Sequence, residues 1–100
     1  MSTANEFPDL DRVIHEPARL AILSILSAAE QADFLYLLRE TALTKGNLSA
    51  HLARLENAGY IEIEKGYVGK LPQTICRMTK AGREAFDTYR RQLGDFLKSL

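Results

Sequence analysis

The sequence predicts a mainly α-helical domain with one small β-hairpin. Two observations support this prediction: apolar residues recur every three or four positions over most of the chain, and the period changes to two after Gly59. The chain has 100 residues, of which 46% are hydrophobic and 26% are charged, which suits one hydrophobic core. We therefore expect one domain over residues 1–100. No apolar run approaches the length of about 18 residues that a membrane helix needs, so we expect no membrane partner.

Two helices are predicted in the first part of the chain. The first should begin near Pro8 and end before Pro17, because a proline forces the preceding residue out of the α region. Pro17 can itself occupy the first position of the next helix. That second helix, over residues 18–27, is apolar nearly all round and should be the buried central helix.

The next two helices are separated by a short turn. Asp33 is a candidate N-cap for a helix that runs to Thr41, and Thr44 is a candidate N-cap for a helix over residues 45–57. Gly59 lies where a left-handed residue often follows a helix. Two helices joined by a turn of three or four residues form a helix-turn-helix unit.

A hairpin and a long helix complete the chain. Residues 61–64 alternate between isoleucine and glutamate, which predicts a strand with one face exposed to water. Glycines and a proline in residues 65–72 indicate a loop, residues 74–79 a returning strand, and residues 80–100 a helix about 30 Å long. A hairpin after a helix-turn-helix is a wing. The order of elements therefore predicts a winged helix-turn-helix, with a three-helical core and wing over residues 8–79 and dimerisation helices at both ends.

The chain has no net charge, but its charges are unevenly distributed. Residues 1–43 contain three basic and seven acidic residues, whereas residues 44–100 contain ten basic and six acidic ones. Five of these basic residues lie from Lys65 to Arg83, a stretch without any acidic residue. This asymmetry indicates an anionic partner for the second half, although a solvated hairpin with neighbours of mixed charge gives the same pattern.

The helix over residues 45–57 has the pattern of a DNA-reading helix. With Leu48, Leu52 and Leu55 facing inward, its outward side is small and polar, which suits close approach in the major groove. Lysines and a tyrosine at the hairpin tip suit contact with backbone phosphates or the minor groove. Small polar residues on an outer helix face also occur in domains that bind nothing. The candidate DNA-binding residues are Thr44, Lys45, Gly46, Asn47, Ser49, Ala50, His51, Arg54, Lys65, Tyr67 and Lys70.

The last helix has an apolar seam at alternating spacings of three and four residues, which favours pairing with a second copy of the chain. The alternative is that this helix folds back on its own domain. The candidate dimer residues, including those of the first helix, are Leu10, Val13, Ile14, Phe86, Tyr89, Leu93, Phe96, Leu97 and Leu100.

The sequence lacks the patterns of common enzymes and metal sites. The single cysteine, Cys76, excludes an internal disulfide and a CxxC zinc site, and we expect it in the core. His15 and His51 are far apart, and no GxSxG, P-loop or HExxH motif occurs. We therefore expect no enzyme, no cofactor and no metal. The N-terminus does not resemble a signal peptide, which predicts a cytoplasmic protein.

The chain resembles winged-helix repressors of the ArsR and MarR type. From Leu43 to Ile61 it reads LTKGNLSAHLARLENAGYI, which is similar to their recognition helix and following strand. The closest likeness is to small stand-alone prokaryotic regulators, and it covers about residues 10–90. The matching motifs are Pro17 with Arg19, Gly46 to Leu52, Ala58 to Tyr60, and Thr79 to Gly82.

This resemblance implies a homodimeric regulator that binds double-stranded DNA sequence-specifically. Ala50 departs from it, since the wider superfamily often has arginine there. The cysteine box of metal-sensing relatives is absent from the third helix, so no metal site is implied. Two alternatives remain open: a winged-helix scaffold that binds proteins and no DNA, and a ligand-responsive repressor with an intradomain pocket for a small-molecule effector of unknown identity.

Overall fold

The computed structural model of the protein describes residues 7–100. Within this range the chain forms four helices and three strands, and the strands make one antiparallel sheet in the order β1-β3-β2. This architecture confirms the predicted fold class, a mainly α-helical winged helix-turn-helix. The elements are α1 (Pro17–Ala29), β1 (Gln31–Asp33), α2 (Phe34–Thr41), α3 (Lys45–Asn57), β2 (Ile61–Val68), β3 (Leu71–Met78) and α4 (Lys80–Lys98).

The hydrophobic core surrounds α1. Ile22, Leu23 and Leu26 of this helix are fully buried, as its nearly continuous apolar sequence predicts. They share one core cluster with a leucine of α2 and three leucines of α3, and each such side chain contributes about 1.5–3 kcal/mol of hydrophobic stabilisation. This packing fixes the inward face of α3 and so determines which face is left outside. The four leucines are Leu37, Leu48, Leu52 and Leu55.

Side-chain caps position the helix-turn-helix. The Asp33 carboxylate accepts a hydrogen bond of 2.7 Å from the Tyr36 backbone N–H at the start of α2. The Thr44 hydroxyl oxygen accepts one of 3.1 Å from the Asn47 backbone N–H at the start of α3. Both caps lie where the sequence predicts them. Gly59 follows α3 with φ at +81°, the left-handed conformation predicted for it.

The predicted helix from Pro8 to Pro17 is wrong, because residues 7–16 form turns and extended backbone instead. The Asp11 carboxylate accepts hydrogen bonds from the backbone N–H groups of Val13 (2.9 Å) and Ile14 (3.3 Å). Such side-chain bonds offer the backbone an alternative to helical pairing. Glu16, which precedes the proline, is extended and caps α1. Residues 7–16, called here the N-terminal segment, are therefore not helical, and two of their apolar side chains, Leu10 and Ile14, are buried in the core.

The hairpin is longer and its turn tighter than predicted. β2 continues to Val68 and β3 begins at Leu71, so the predicted loop over residues 65–72 is wrong. Only Gly69 and Lys70 connect the strands, and Gly69 has φ at +62°, which a glycine adopts without strain. The short strand β1, which the sequence did not reveal, pairs with β3 opposite residues 75–77. The wing is thus an extended two-stranded arm with a two-residue tip.

The start of α4 packs directly against the turn after α3. The Tyr60 carbonyl oxygen accepts a hydrogen bond of 3.0 Å from the Thr79 backbone N–H. A Cβ atom at Gly82 would lie only 2.1 Å from the same carbonyl oxygen. Glycine at position 82 therefore allows α4 to approach the turn after α3 closely.

Part of the predicted dimer seam lies inside the single chain. Leu10, Ile14, Phe86 and Tyr89 are all buried in the core of one protomer, so their prediction as interface residues is corrected. The reason is that the N-terminal segment and the first half of α4 cover each other and the core. Val13 is half-buried and also packs against the core. The remaining seam residues, Leu93, Phe96, Leu97 and Leu100, lie in the second half of α4 and beyond it and are half-buried or exposed.

Candidate nucleic-acid interface

The outward face of α3 is open to solvent. It carries amide, hydroxyl and guanidinium donors among small residues, which leaves room for another surface to come close. Burial of three leucines on the opposite side orients this face outward. The candidate residues Lys45, Gly46, Asn47, Ser49, Ala50 and Arg54 are all exposed.

The fold gives a structural reason for Thr44 but none for Gly46. The hydroxyl oxygen of Thr44 caps α3, so this residue has a structural role besides any contact with DNA. Gly46 is helical, and a Cβ atom built on it would meet nothing within 4 Å. No turn requires glycine at position 46, although glycine costs a helix roughly 0.5–1 kcal/mol relative to alanine. The absence of a side chain there is therefore unexplained by the fold itself.

His51 differs from the other candidates because it is half-buried and bound to a second side chain. Its Nδ1 atom lies 3.1 Å from Nη1 of Arg19, and 3.9 Å from a carboxylate oxygen of Glu16. Arg19 is 8% exposed, the one buried charged residue among residues 7–100. Its Nε donates to the Val13 carbonyl oxygen at 2.5 Å. Arg19 thus joins the recognition helix to the N-terminal segment.

Sequence reasoning missed this role of Arg19. The signal was a lone arginine in the first turn of a helix that is otherwise nearly all apolar. Glu16 accepts a hydrogen bond of 2.8 Å from the backbone N–H of Arg19. This bond lowers the pKa of the Glu16 carboxyl although partial burial opposes the shift. The carboxylate therefore stays ionised as the cap of α1.

The three candidate residues of the wing lie in two different places. Lys65 and Tyr67 occupy the strand face that also carries Ile63, whereas Lys70 lies at the exposed tip. An open cleft of about 670 Å³ separates this face of the wing from α3. Lys65 and Ser49 both line the cleft, so the structure brings one wing residue and one helix residue together there, and it leaves Lys70 apart.

Charges near this surface are partly paired. Arg77 donates hydrogen bonds to Glu64 at 2.7 Å and to Gln31 at 3.0 Å on the other face of the hairpin. Lys65 and Lys70 make no ion pair with any residue from 7 to 100. These two lysines therefore keep their charge available for an anionic partner.

The described part of the chain offers little to other chemistries. No three histidine, cysteine, aspartate or glutamate side chains between residues 7 and 100 are grouped so that they could hold a metal ion. Cys76 is fully buried, and burial, with smaller effects of Glu56 and Asp33, raises the pKa of its thiol to about 11. A thiol with so high a pKa is a poor nucleophile. None of the helices in residues 7–100 has the length and apolar character needed to cross a membrane.

Comparison with known proteins identifies the family of this domain. The profile described as the winged helix DNA-binding domain matches residues 18–97. The chain belongs to this family. Its match spans α1 to α4, so the recognition helix and the wing are both part of the family's own domain. The family marks the chain as a DNA-binding protein and not an enzyme, as the sequence predicts.

Individual relatives agree with this assignment. The chain is 36% identical over 78 residues to an uncharacterized protein of Methanocaldococcus jannaschii, a match that covers 78% of this chain and 85% of that protein. The structure of a transcriptional regulator homologue from Pyrococcus horikoshii superposes with a TM-score of 0.82 at 26% identity, covering 88% and 87% of the two chains. An ArsR family transcriptional regulator shares the fold at 20% identity, with a TM-score of 0.59 and coverage of 89% and 87%. The predicted likeness to small winged-helix regulators is confirmed.

Proposed function

We propose that the protein is a cytoplasmic transcriptional regulator that binds double-stranded DNA sequence-specifically as a homodimer. The observation that carries this proposal is the open, donor-bearing face of α3 beside an extended wing whose Lys65 and Lys70 make no ion pair within residues 7–100. A helix of this kind fits the major groove, which is about 12 Å wide. In this arrangement α3 reads bases and the wing holds the DNA backbone.

Base reading is assigned to the small polar residues of α3. The amide of Asn47 can pair with both the donor and the acceptor of an adenine edge, and the Ser49 hydroxyl can donate or accept. Ala50 and Gly46 have no side chain beyond Cβ, which lets the helix backbone come close to the bases. Arg54, two turns from the start of α3, is better placed for a phosphate.

Phosphate binding is assigned chiefly to the wing. Lys65 faces the cleft beside α3, and Lys70 lies at the tip, so the two charges are spread along the arm. Tyr67 is 75% exposed and presents an aromatic ring next to them. Contacts of these kinds position a protein on the duplex without reading its sequence. The tip can reach an adjacent phosphate or the minor groove.

Dimerisation is assigned to the second half of α4. The helix has a strongly one-sided apolar stripe, which the protomer covers fully in the first half and only in part beyond it, where Leu93 packs against the core and the Phe96 ring lies 4.6 Å from that of Phe7. Leu97 is 57% exposed and Leu100 is 84% exposed, and both continue the stripe that includes Leu93 and Phe96. A partner helix in a two-fold arrangement would bury these side chains. Two recognition helices could then meet half-sites roughly 34 Å apart.

Selection of bound fragments from a random-sequence pool tests the proposal. We expect enrichment of a short motif repeated with two-fold symmetry, and affinity for the selected duplex that falls steeply with salt. If six phosphates are neutralised, the affinity should drop by roughly 10³-fold between 50 and 200 mM salt. Failure to enrich any sequence, with no salt-dependent binding, would contradict the proposal.

One observation favours a second candidate, a winged-helix scaffold that binds a protein. Leu35 of α2 lies near Val68 and Leu71 of the wing, around an open cleft of about 390 Å³. All three side chains are more than half exposed, which is unusual for neighbouring large apolar residues. Under this alternative the selection of bound DNA fragments would enrich no sequence. The third alternative, a repressor that responds to a small molecule, stays a prediction. An open cleft of about 650 Å³ between the N-terminal segment and α4 is the place where such a molecule would bind.

A further inference from the structure

The ring of His51 has an asymmetric environment. On one side Nδ1 lies 3.1 Å from Nη1 of Arg19. A guanidinium group carries only donors, so it cannot accept a hydrogen bond from the ring. Glu16, the other charged group near Nδ1, is 3.9 Å away, beyond hydrogen-bond distance, and its carboxylate oxygen already accepts from the Arg19 backbone. Nδ1 must therefore be the unprotonated acceptor of the Arg19 bond.

This contact fixes the proton of the neutral ring on Nε2. In a neutral imidazole one nitrogen accepts and the other donates, and the partner of one nitrogen sets the tautomer. Arg19 is itself held in place, because its Nε donates to the Val13 carbonyl oxygen at 2.5 Å. Among residues 7–100 no carboxylate lies within 4.0 Å of its guanidinium nitrogens, so the lone pair of His51 is its one side-chain acceptor there.

The opposite nitrogen of the ring is free. Nε2 of His51 makes no hydrogen bond to any group in residues 7–100, and no buried polar side-chain atom in that range lacks a partner. Nε2 is therefore open to solvent, in agreement with a side chain that is 22% exposed. Because Nδ1 faces Arg19, the Nε2–H bond points away from α1.

The position of His51 on α3 indicates what this donor meets. At about 100° per residue the ring lies at the edge of α3 next to the buried leucines, on the side of Asn47 and Arg54 but farther than both from the outward centre of the helix. In a helix that fills the major groove, the outward part faces the bases and the edges next to the domain core face the two backbone walls. The Nε2–H group of His51 lies at such an edge, on a side chain that is mostly buried, so the partner that suits it is a phosphate oxygen of the nearer backbone wall.

We infer that His51 is an uncharged phosphate-binding residue and that Arg19 is the positioning residue that holds it in the Nε2–H tautomer. This inference rests on the proposed DNA binding and adds to it a contact without positive charge. Its consequence for salt dependence is specific: each lysine that binds a phosphate releases a counterion, whereas a neutral imidazole releases none.

Two conservative variants separate the two nitrogens. His51→Asn retains an acceptor near the position of Nδ1 but has no donor at that of Nε2, whereas His51→Gln can place an N–H near Nε2 and loses the bond to Arg19. We expect His51→Asn to bind both a selected duplex and an unrelated duplex of equal length about tenfold more weakly, the cost of one hydrogen bond to a charged group. His51→Gln should stay within about threefold of the parent, despite a lower melting temperature.

Salt titration of the same proteins gives an independent readout. The slope of log affinity against log salt should be equal in the parent, His51→Asn and His51→Gln, whereas Lys70→Ala should reduce it by about 0.9. A reduced slope in His51→Asn would show a charged imidazole and overturn the inference. Unchanged affinity of His51→Asn, or a loss confined to the selected sequence, would overturn it as well.

The tautomer can be observed in the unbound parent protein by ¹⁵N NMR of the histidine rings at neutral pH. We expect an unprotonated Nδ1 and a protonated Nε2 for His51, and the reverse pattern would overturn the role of Arg19. The binding assays distinguish two kinds of failure. If the parent binds no duplex, the proposed function fails; if the parent binds and His51→Asn binds equally well, only the present inference fails.

Discussion

The phenol of Tyr60 donates its hydrogen bond to the carboxylate of Asp11, across 49 positions of sequence. Asp11 belongs to the N-terminal segment, and Tyr60 follows the end of α3. The bond therefore joins the N-terminal segment to the C-terminal end of α3. The hydrogen bond to Asp11, with some contribution from burial, raises the pKa of Tyr60 to about 12.

This bond predicts a loss of stability in alkali. Because the folded protein raises the pKa of Tyr60 above the usual value of about 10, the contribution is complete below pH 10 and disappears as the pH rises towards 12. We expect the absorbance titration of the parent minus that of Tyr60→Phe to show a phenol that ionises near pH 12. A difference curve centred near pH 10 would show that the bond to Asp11 is absent in solution.

Two glycines of α4 provide a matched pair of substitutions. Gly82→Ala should destabilise the fold by about 1–3 kcal/mol, because the new Cβ would meet the Tyr60 carbonyl oxygen at 2.1 Å. Gly94→Ala adds the same group to the same helix in open space and should stabilise it by roughly 0.5–1 kcal/mol. Urea denaturation measures both. Equal effects of the two changes would contradict the close packing of α4 on the turn after α3.

Substitution of Gly46 separates folding from DNA binding. Gly46→Ala should stabilise α3 by up to about 1 kcal/mol, since the new Cβ meets nothing within 4 Å. If the helix backbone approaches the bases, the same methyl group should weaken binding of the selected duplex. Thermal melting and fluorescence anisotropy should therefore change in opposite directions. A variant that is both more stable and equally tight in binding would remove Gly46 from the interface.

The dimer assignment predicts a different response from two exposed positions of α4. Leu97→Asp places a charge in the apolar stripe, so the protein should sediment with the mass of one chain. Thr88→Asp introduces the same charge on the other side of α4, where the residue is also exposed, and should leave the parent mass unchanged. Sedimentation of Leu97→Asp as a dimer would exclude the second half of α4 from the interface.

Local signals explain why α3 could be predicted with its observed bounds. Thr44 caps its start, three leucines define its inward face, and Gly59 adopts the left-handed conformation after its end. All of these act within a few residues, where sequence is informative. The exposed donors of α3 follow from the same pattern. Their contact with DNA stays a prediction.

Tertiary contacts explain what sequence reasoning did not find. Asp11 lies within the predicted first helix, but its carboxylate accepts hydrogen bonds from neighbouring backbone and from Tyr60, which favours a turn. The sequence could not show that Arg19 is buried beside His51, 32 positions away. The apolar spacing of α4 could not show that Tyr89 is covered by the protomer's own N-terminal segment, where the phenol oxygen lies 2.7 Å from Nδ1 of His15. Periodicity identifies an apolar face, and only the packed structure shows which element covers it.

The central claim is that the outward face of α3 contacts the duplex, and Ala50→Glu tests it most directly. Ala50 is exposed at the middle of that face, and glutamate is nearly as good a helix former as alanine. Ala28→Glu makes the same change at an exposed position of α1 and serves as the control. Anisotropy titration of the selected duplex should show binding at least about tenfold weaker for Ala50→Glu, because its carboxylate meets the polyanion, and nearly unchanged binding for Ala28→Glu. Equal affinity of the two variants, both folded, would contradict the account.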